Sequence, residues 1–207
     1  MEVNKWEEVY SRDKKELPWL ENPIPEEILE NFSSHIKKGE TILDYGCGDG
    51  VLSEVLHKKG FELVCSDISS KALELVSNKI SGVRTVQAEK PEDISKNQEF
   101  GGLLAWGVLH HINKEKWVDY IKGFKAVLKP EGMLLIGGHS KNDVEFSEGY
   151  RISPTTGNVS TALDIYDILE KEGLQILDSG NFDFKEAHSG KDRSFKYYLA
   201  KNIETQF

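Results

Sequence analysis

Two aspartates and three histidines occupy positions from which a folded chain could do chemistry. Asp44 closes an apolar run ending in Ile42 and Leu43, and it precedes a turn with glycine at 46, 48 and 50. Asp67 lies just beyond a second apolar run, Phe61 to Cys65. An acid about 20 positions past a glycine turn is placed to bind the hydroxyls of a ribose. The glycines let backbone approach a ligand closely. His110 and His111 follow a third apolar run and His139 a fourth. A histidine at the carboxyl end of a strand can act as general base for a bound acceptor. It can equally bond the backbone and shape a pocket. No cysteine and no tight spacing of His, Asp or Glu accompanies these histidines, so no metal is expected.

These residues need a strand, a turn and a helix to hold them. Leu52, Val55 and Leu56 follow the glycines at helical spacing, which completes that unit. A dinucleotide fingerprint wants a third glycine three residues after the second, and position 51 is Val. Asp44 would repel a pyrophosphate but could pair with an ammonium group. A cofactor with a ribose, an adenine and a cationic amino-acid end fits better, which describes S-adenosylmethionine.

On these residues the chain resembles the class I S-adenosylmethionine-dependent methyltransferases. Asp44, Gly46, Gly48 and Gly50 match that family's glycine motif, and Asp67 matches its ribose-binding acid. Gln87, Ala88 and Glu89 fall where such enzymes hold the adenine. Phe100 to Ile112, with Gly107 to His111, resembles the fourth strand and the loop after it; Leu128 to Gly132 resembles the turn before the fifth. Cys47, Ile68 and Trp106 border these positions and join the expected cofactor contacts. The resemblance is good over residues 40 to 140 and looser elsewhere. It implies a Rossmann-like α/β fold, a seven-stranded mostly parallel sheet with one antiparallel strand and helices on both faces. Gly101 stands where the family often has Asp after the phenylalanine. Enzymes of this class that methylate adenine N6 or a glutamine amide usually carry Asn or Asp, two prolines and an aromatic at the end of the fourth strand. Ala105-Trp106-Gly107-Val108 lacks them, which argues against those acceptors.

A single domain over residues 1–207 is expected, with residues 1–24 an arm on the surface or a lid over the substrate. Tyr10 and Trp19 are its candidate substrate contacts, with Trp6 a packing anchor. Helices are expected at 25–36, 70–78 capped by Ser69, from about 114 to 128, and at 161–172. Strands are expected at 83–88, 100–109, 133–138, 174–184 and 194–200, the last two forming a hairpin that makes the sheet edge antiparallel. The polar stretch 139–160 reads as a long substrate-side loop beginning with His139, another candidate contact alongside His111.

The formal charge of -9 argues against nucleic acid or an anionic membrane as partner. The two cysteines, Cys47 and Cys65, sit in or beside apolar strands and read as reduced thiols. No signal-like or membrane-spanning run is visible, so the cytoplasm is the expected location. Methyl transfer to a small molecule is the leading expectation. A protein or RNA acceptor, or a cofactor-binding regulator without catalysis, are the alternatives. Oligomeric state is open.

Overall fold

The computed structural model describes residues 3–12, 24–94, 99–146, 148–153, 157, 159–186 and 190–203. Five strands, β1 (Thr41–Tyr45), β2 (Glu62–Asp67), β3 (Arg84–Gln87), β4 (Phe100–Trp106) and β5 (Leu128–His139), run parallel to one another. A hairpin β6 (Tyr150–Ile152) and β7 (Val159–Thr161) forms a separate small sheet. β8 (Leu174–Lys185) and β9 (Asp192–Asn202) complete the main sheet, in the order β3-β2-β1-β4-β5-β9-β8. β9 is antiparallel to both its neighbours, so it is the one reversed strand. It lies inside the sheet, and the edge is β8, which runs with the parallel strands. The hairpin is as expected, but the antiparallel strand is second from the edge.

Helices cover both faces. α1 (Val3–Tyr10) crosses the top; α2 (Glu26–Ser34), α3 (Val51–Lys58) and α4 (Ser70–Lys79) follow in the first half of the chain. α5 (Trp117–Val127) and α6 (Tyr166–Lys171) follow in the second. Ile28, Leu29, Phe32, Leu56 and Val76 pack on one face of the sheet. Trp117, Ile121, Phe124 and Leu169 pack on the other. β4 is buried along nearly its whole length, as a central strand covered on both sides must be. β8 alternates in exposure over much of its length, as an edge strand with one packed face does.

Several boundaries differ from the sequence reading. β4 ends at Trp106 because Gly107 turns the chain with φ of 73°. β5 begins at Leu128, five residues early, and its register against β4 shifts between Phe100 and Gly102. Gly101 lies in that irregularity; a Cβ there would overlap the Glu40 side chain. The expected helix over 161–172 is confined to α6. Thr161 belongs to β7, and Leu163 and Ile165 are buried in the irregular chain before α6, so their apolar spacing reflects burial and not a helical stripe. The stretch 139–160 is not one loop: it contains a 3-10 turn at Val144–Phe146 and the strands β6 and β7.

Gly102 admits α2 to the sheet, since a Cβ there would overlap Ile36 and come 3.1 Å from Phe32. Gly102→Val should overpack this contact and cost about 1–3 kcal/mol. Urea unfolding of the two proteins measures it; an unchanged midpoint would mean that α2 shifts freely.

Candidate active site

The strand order reverses between β1 and β4, and the carboxyl ends of these strands are where an open sheet leaves a crevice. The turn from β1 to α3 lines it. Gly46, Gly48 and Gly50 all adopt positive φ, at 71°, 55° and 77°. Gly50 caps α3 and lines neither cavity described below; the first two glycines face the crevice. A Cβ on Gly46 would overlap Val108, and one on Gly48 would come 2.7 Å from the Tyr10 hydroxyl. The turn is stitched to β2: Gly46 N and Cys47 N donate to Ser66 O at 2.7 and 3.0 Å.

Two cavities, both partly open to solvent, meet under α1. Trp6, Tyr10, Gly46 and His111 line both. The smaller is walled by Asp67, Ile68, Ala88, Tyr45 and Val108. The larger begins at Asp44, Cys47 and Gly48 and continues past Trp106 to His110 and His139. Nearly all of the expected site residues thus converge. Gln87 and Glu89 do not: their side chains are exposed. Gln87 Nε2 donates to Ile68 O at 2.9 Å, and Glu89 offers its carbonyl to the hydroxyls of Tyr45 and Tyr120. They shape the wall behind Ala88. Trp19 lies outside the described residues.

The carboxyls are buried and held. Asp67 accepts from Gly48 N at 3.0 Å and Ser69 N at 2.9 Å, while burial pushes its pKa up to about 6. Asp44 accepts from the Ser53 hydroxyl at 2.5 Å, and burial raises it to about 7. Burial likewise pushes the Tyr10 phenol and Cys47 thiol up. Asp49, also in the crevice, pairs with Lys79 at 2.8 Å.

α1 is docked by its own acid. Glu7 accepts from Ser70 N at 2.6 Å and Lys71 N at 3.2 Å, at the start of α4. Trp6 and Val9 bury against Ile68, and the Trp6 ring meets His111 edge-on at 5.0 Å. Trp6 was read as an anchor, but it also lines both cavities. Only its position among charged residues near Tyr10 hinted at that.

The histidines sit on a pinned turn. Trp117 Nε1 donates to Leu109 O at 2.9 Å and Ile112 O at 3.1 Å, on either side of His110 and His111. The His110 ring lies tilted against His111 at 4.1 Å and edge-on to His139 at 4.8 Å. Burial lowers all three: His111 to about 3, His139 to about 4, and His110 well below its ordinary value. Ser160 Oγ lies 3.2 Å from His111 Nδ1. Arg193 Nη2 can only donate, so His139 Nδ1, at 3.0 Å, accepts and the ring proton sits on Nε2. The Asp143 carboxylate is 3.3 Å from the same nitrogen, but it is already served by Arg193 Nε at 2.8 Å and Ser194 N at 3.2 Å. His139 therefore presents a donor and not a base. Arg151, Asp143 and Arg193 carry no signal in sequence, because only the folded chain joins residues 50 positions apart.

The parallel sheet with one reversed strand beside β5, and an acid at each end of a glycine-walled crevice, defines a class I S-adenosylmethionine-dependent methyltransferase. The chain belongs to the methyltransferase-domain family, whose model matches residues 19–179. It is 32% identical over 129 residues to YqeM of Bacillus subtilis (strain 168), named as a methyltransferase. That match covers 59% of this chain and 47% of YqeM, so the chain spans about half the length of that relative. It is 25% identical over 204 residues to the ubiquinone biosynthesis O-methyltransferase of Rickettsia canadensis (strain McKiel), covering 90% of this chain and 83% of that protein. The same architecture occurs in the 1,6-didemethyltoxoflavin-N1-methyltransferase of Burkholderia thailandensis, solved with its substrate and S-adenosylhomocysteine. There the TM-score is 0.75 at 17% identity, over 98% of this chain and 88% of that one. The N-methyltransferase NodS of Bradyrhizobium japonicum WM9 gives a TM-score of 0.71 at 18% identity, over 98% of each chain.

A histidine held neutral below its ordinary value of about 6.5 leaves the unfolded chain the better proton binder, so stability falls as pH drops from about 6.5 towards 4. Asp44 and Asp67, held above the ordinary carboxylate value, act oppositely as pH rises from about 4 to 7. His139→Gln should therefore flatten the acid-side loss in urea midpoints taken from about pH 7 down to about pH 4.5. The same slope in both proteins would show that His139 takes up its proton without unfolding.

Proposed function

We propose that the protein is an S-adenosylmethionine-dependent methyltransferase for a small-molecule acceptor. The observation that carries this reading is the junction of the two cavities at Gly46 beneath α1, with Asp67 at one and Asp44 at the other. Asp67 would accept from a ribose diol, Ile68 and Ala88 would flank an adenine, and Asp44 would pair with a cationic amino-acid end. Cys47, Gly48 and Trp106 border the path to the methyl group. The acceptor occupies the rest of the larger cavity, between Tyr10, His111 and His139. The cover of α1 favours a small acceptor over a macromolecule. Free cysteines at 47 and 65, and no described helix long and apolar enough to cross a membrane, agree with an enzyme of the cytoplasm.

The sulfonium supplies a strong electrophile, so this chain's residues mainly align the acceptor and exclude water. Trp6 and Tyr10 close the crevice over the glycine turn. His110 and His111 are poor proton acceptors at these pKa values; they shape the pocket and offer hydrogen bonds. The acceptor brings its own lone pair, as an amine, thiolate or ionised hydroxyl.

Calorimetry should detect S-adenosylmethionine and S-adenosylhomocysteine and not NAD. Binding should strengthen as pH rises through 6 to 7, because the ligand's cationic end favours ionised Asp44. Asp67→Ala should weaken binding by about 10- to 100-fold through loss of charge-assisted bonds. Tight NAD binding without the other two would refute the reading.

His111→Gln should lower turnover by less than about tenfold at every pH, far short of the loss expected of a general base. A fall of about 100-fold that shrinks at high pH would instead make His111 the base.

A further inference from the structure

Four half-buried aromatic rings form one cluster beside the larger cavity. Trp106 ends β4, Phe182 and Phe184 alternate on β8, and Phe195 lies opposite Phe182 on β9. Trp106 stacks on Phe182 at 5.8 Å, and Phe182 stacks on Phe184 at 5.7 Å. Phe195 lies 5.9 Å from Trp106 and 5.3 Å from Phe184. His139 extends the cluster, edge-on to Phe195 at 4.6 Å.

Trp106 and Phe184 lie at 21° and 29° to the Phe182 plane, while Phe195 stands at 56° to Phe182 and 76° to Phe184. Trp106 pairs with Gly137 of β5, and a Cβ on Gly137 would overlap the indole. The indole therefore lies across β5 towards β9 and β8. Without that glycine it would have to stand away from the sheet.

Trp106, Phe184 and Phe195 line the cavity and remain partly exposed. Apolar rings left bare inside a crevice mark a surface completed by a ligand. The charged groups at this end are already paired: Arg151 with Glu145, and Glu186 with Arg193 at 3.2 Å. Of these groups Arg151 Nε is left buried without a hydrogen-bond partner, in the cavity wall.

We infer that Trp106, Phe184 and Phe195 form a shelf that selects a planar aromatic acceptor, laid against these rings beside the transferable methyl group. This rests on the methyltransferase reading for the identity of the site. The neutral histidines add hydrogen-bonding edges to the shelf without adding charge. Offset and edge-to-face contacts reward a flat π system beyond the area it buries. A saturated ring system of the same skeleton is at least as hydrophobic but is puckered, so it gains only the burial.

The test is calorimetric titration of naphthol and of its saturated counterpart decahydronaphthol, into the protein with and without saturating S-adenosylhomocysteine. The shelf predicts that naphthol binds more tightly by about tenfold, against the order of hydrophobicity. Trp106→Leu and Phe184→Leu should each reduce that preference by about 2- to 10-fold. Phe184 lies on the edge strand, so its variant is informative even if the Trp106 variant folds poorly. Equal binding of the two probes, tighter binding of decahydronaphthol, or an unchanged preference in Phe184→Leu would overturn the shelf. Failure of S-adenosylhomocysteine to bind would count against the methyltransferase reading alone, since the unliganded titration tests the shelf by itself.

Discussion

The site depends on one buried carboxylate. Asp67 is out of water, and it is kept there by two backbone N–H groups, one from the glycine turn and one from the start of α4. Leaving either oxygen without a donor would cost more than the bond itself contributes. The glycine turn is thereby fixed against β2. Gly48 serves this because its N–H must reach the acid while its Cα lies beneath Tyr10. Glu7 meets the next two N–H groups of α4 from outside, so the same helix start holds the turn and the cover. Both acids lie where the helix dipole favours negative charge.

The crevice is electrically divided. Its cofactor end carries buried acids, which favours a ligand with a cationic part. Its far end is built from neutral histidines and aromatic rings over an ion-pair network of Arg193, Asp143 and Glu186. That network keeps its charges for itself. Asp143 in particular takes bonds from Arg193, from Ser194 N and from Glu145 N, which anchors the chain after β5 to β9. Two arginines near His139 then hold its pKa down alongside burial.

The cofactor half was legible because its chemistry is local. Asp44 and Asp67 lie at the ends of two adjacent strands, with Gly46 and Gly48 in the turn after the first, and their spacing alone states what they can reach. Four of the five parallel strands were legible for the same reason, each being a largely buried run closed by a turn; β3 is only half-buried. The acceptor half was not. Trp106, Phe184 and Phe195 belong to three strands brought together only by pairing across β5, β9 and β8. Which of Gln87, Ala88 and Glu89 lines the cavity was not legible, because a position beside a strand end does not tell which way a side chain points. Ala88, between them, is the one that faces inward. The stretch 161–172 yields a shorter helix than its spacing suggests because buried residues in irregular chain can mimic helical spacing over a few positions.

The placement of β9 has a consequence for how the molecule comes together. β8 precedes β9 in the chain, yet β9 lies between β8 and β5. β8 thus has no seat on the sheet until its successor is in place. The hairpin must form first, or the later strand must thread into a waiting gap. β1 to β5 need only their neighbours, so the cofactor half can assemble early. The surface that meets the acceptor is complete only once this hairpin docks on β5 through β9. A partly folded molecule of this kind would already hold its cofactor turn while having nothing to methylate against.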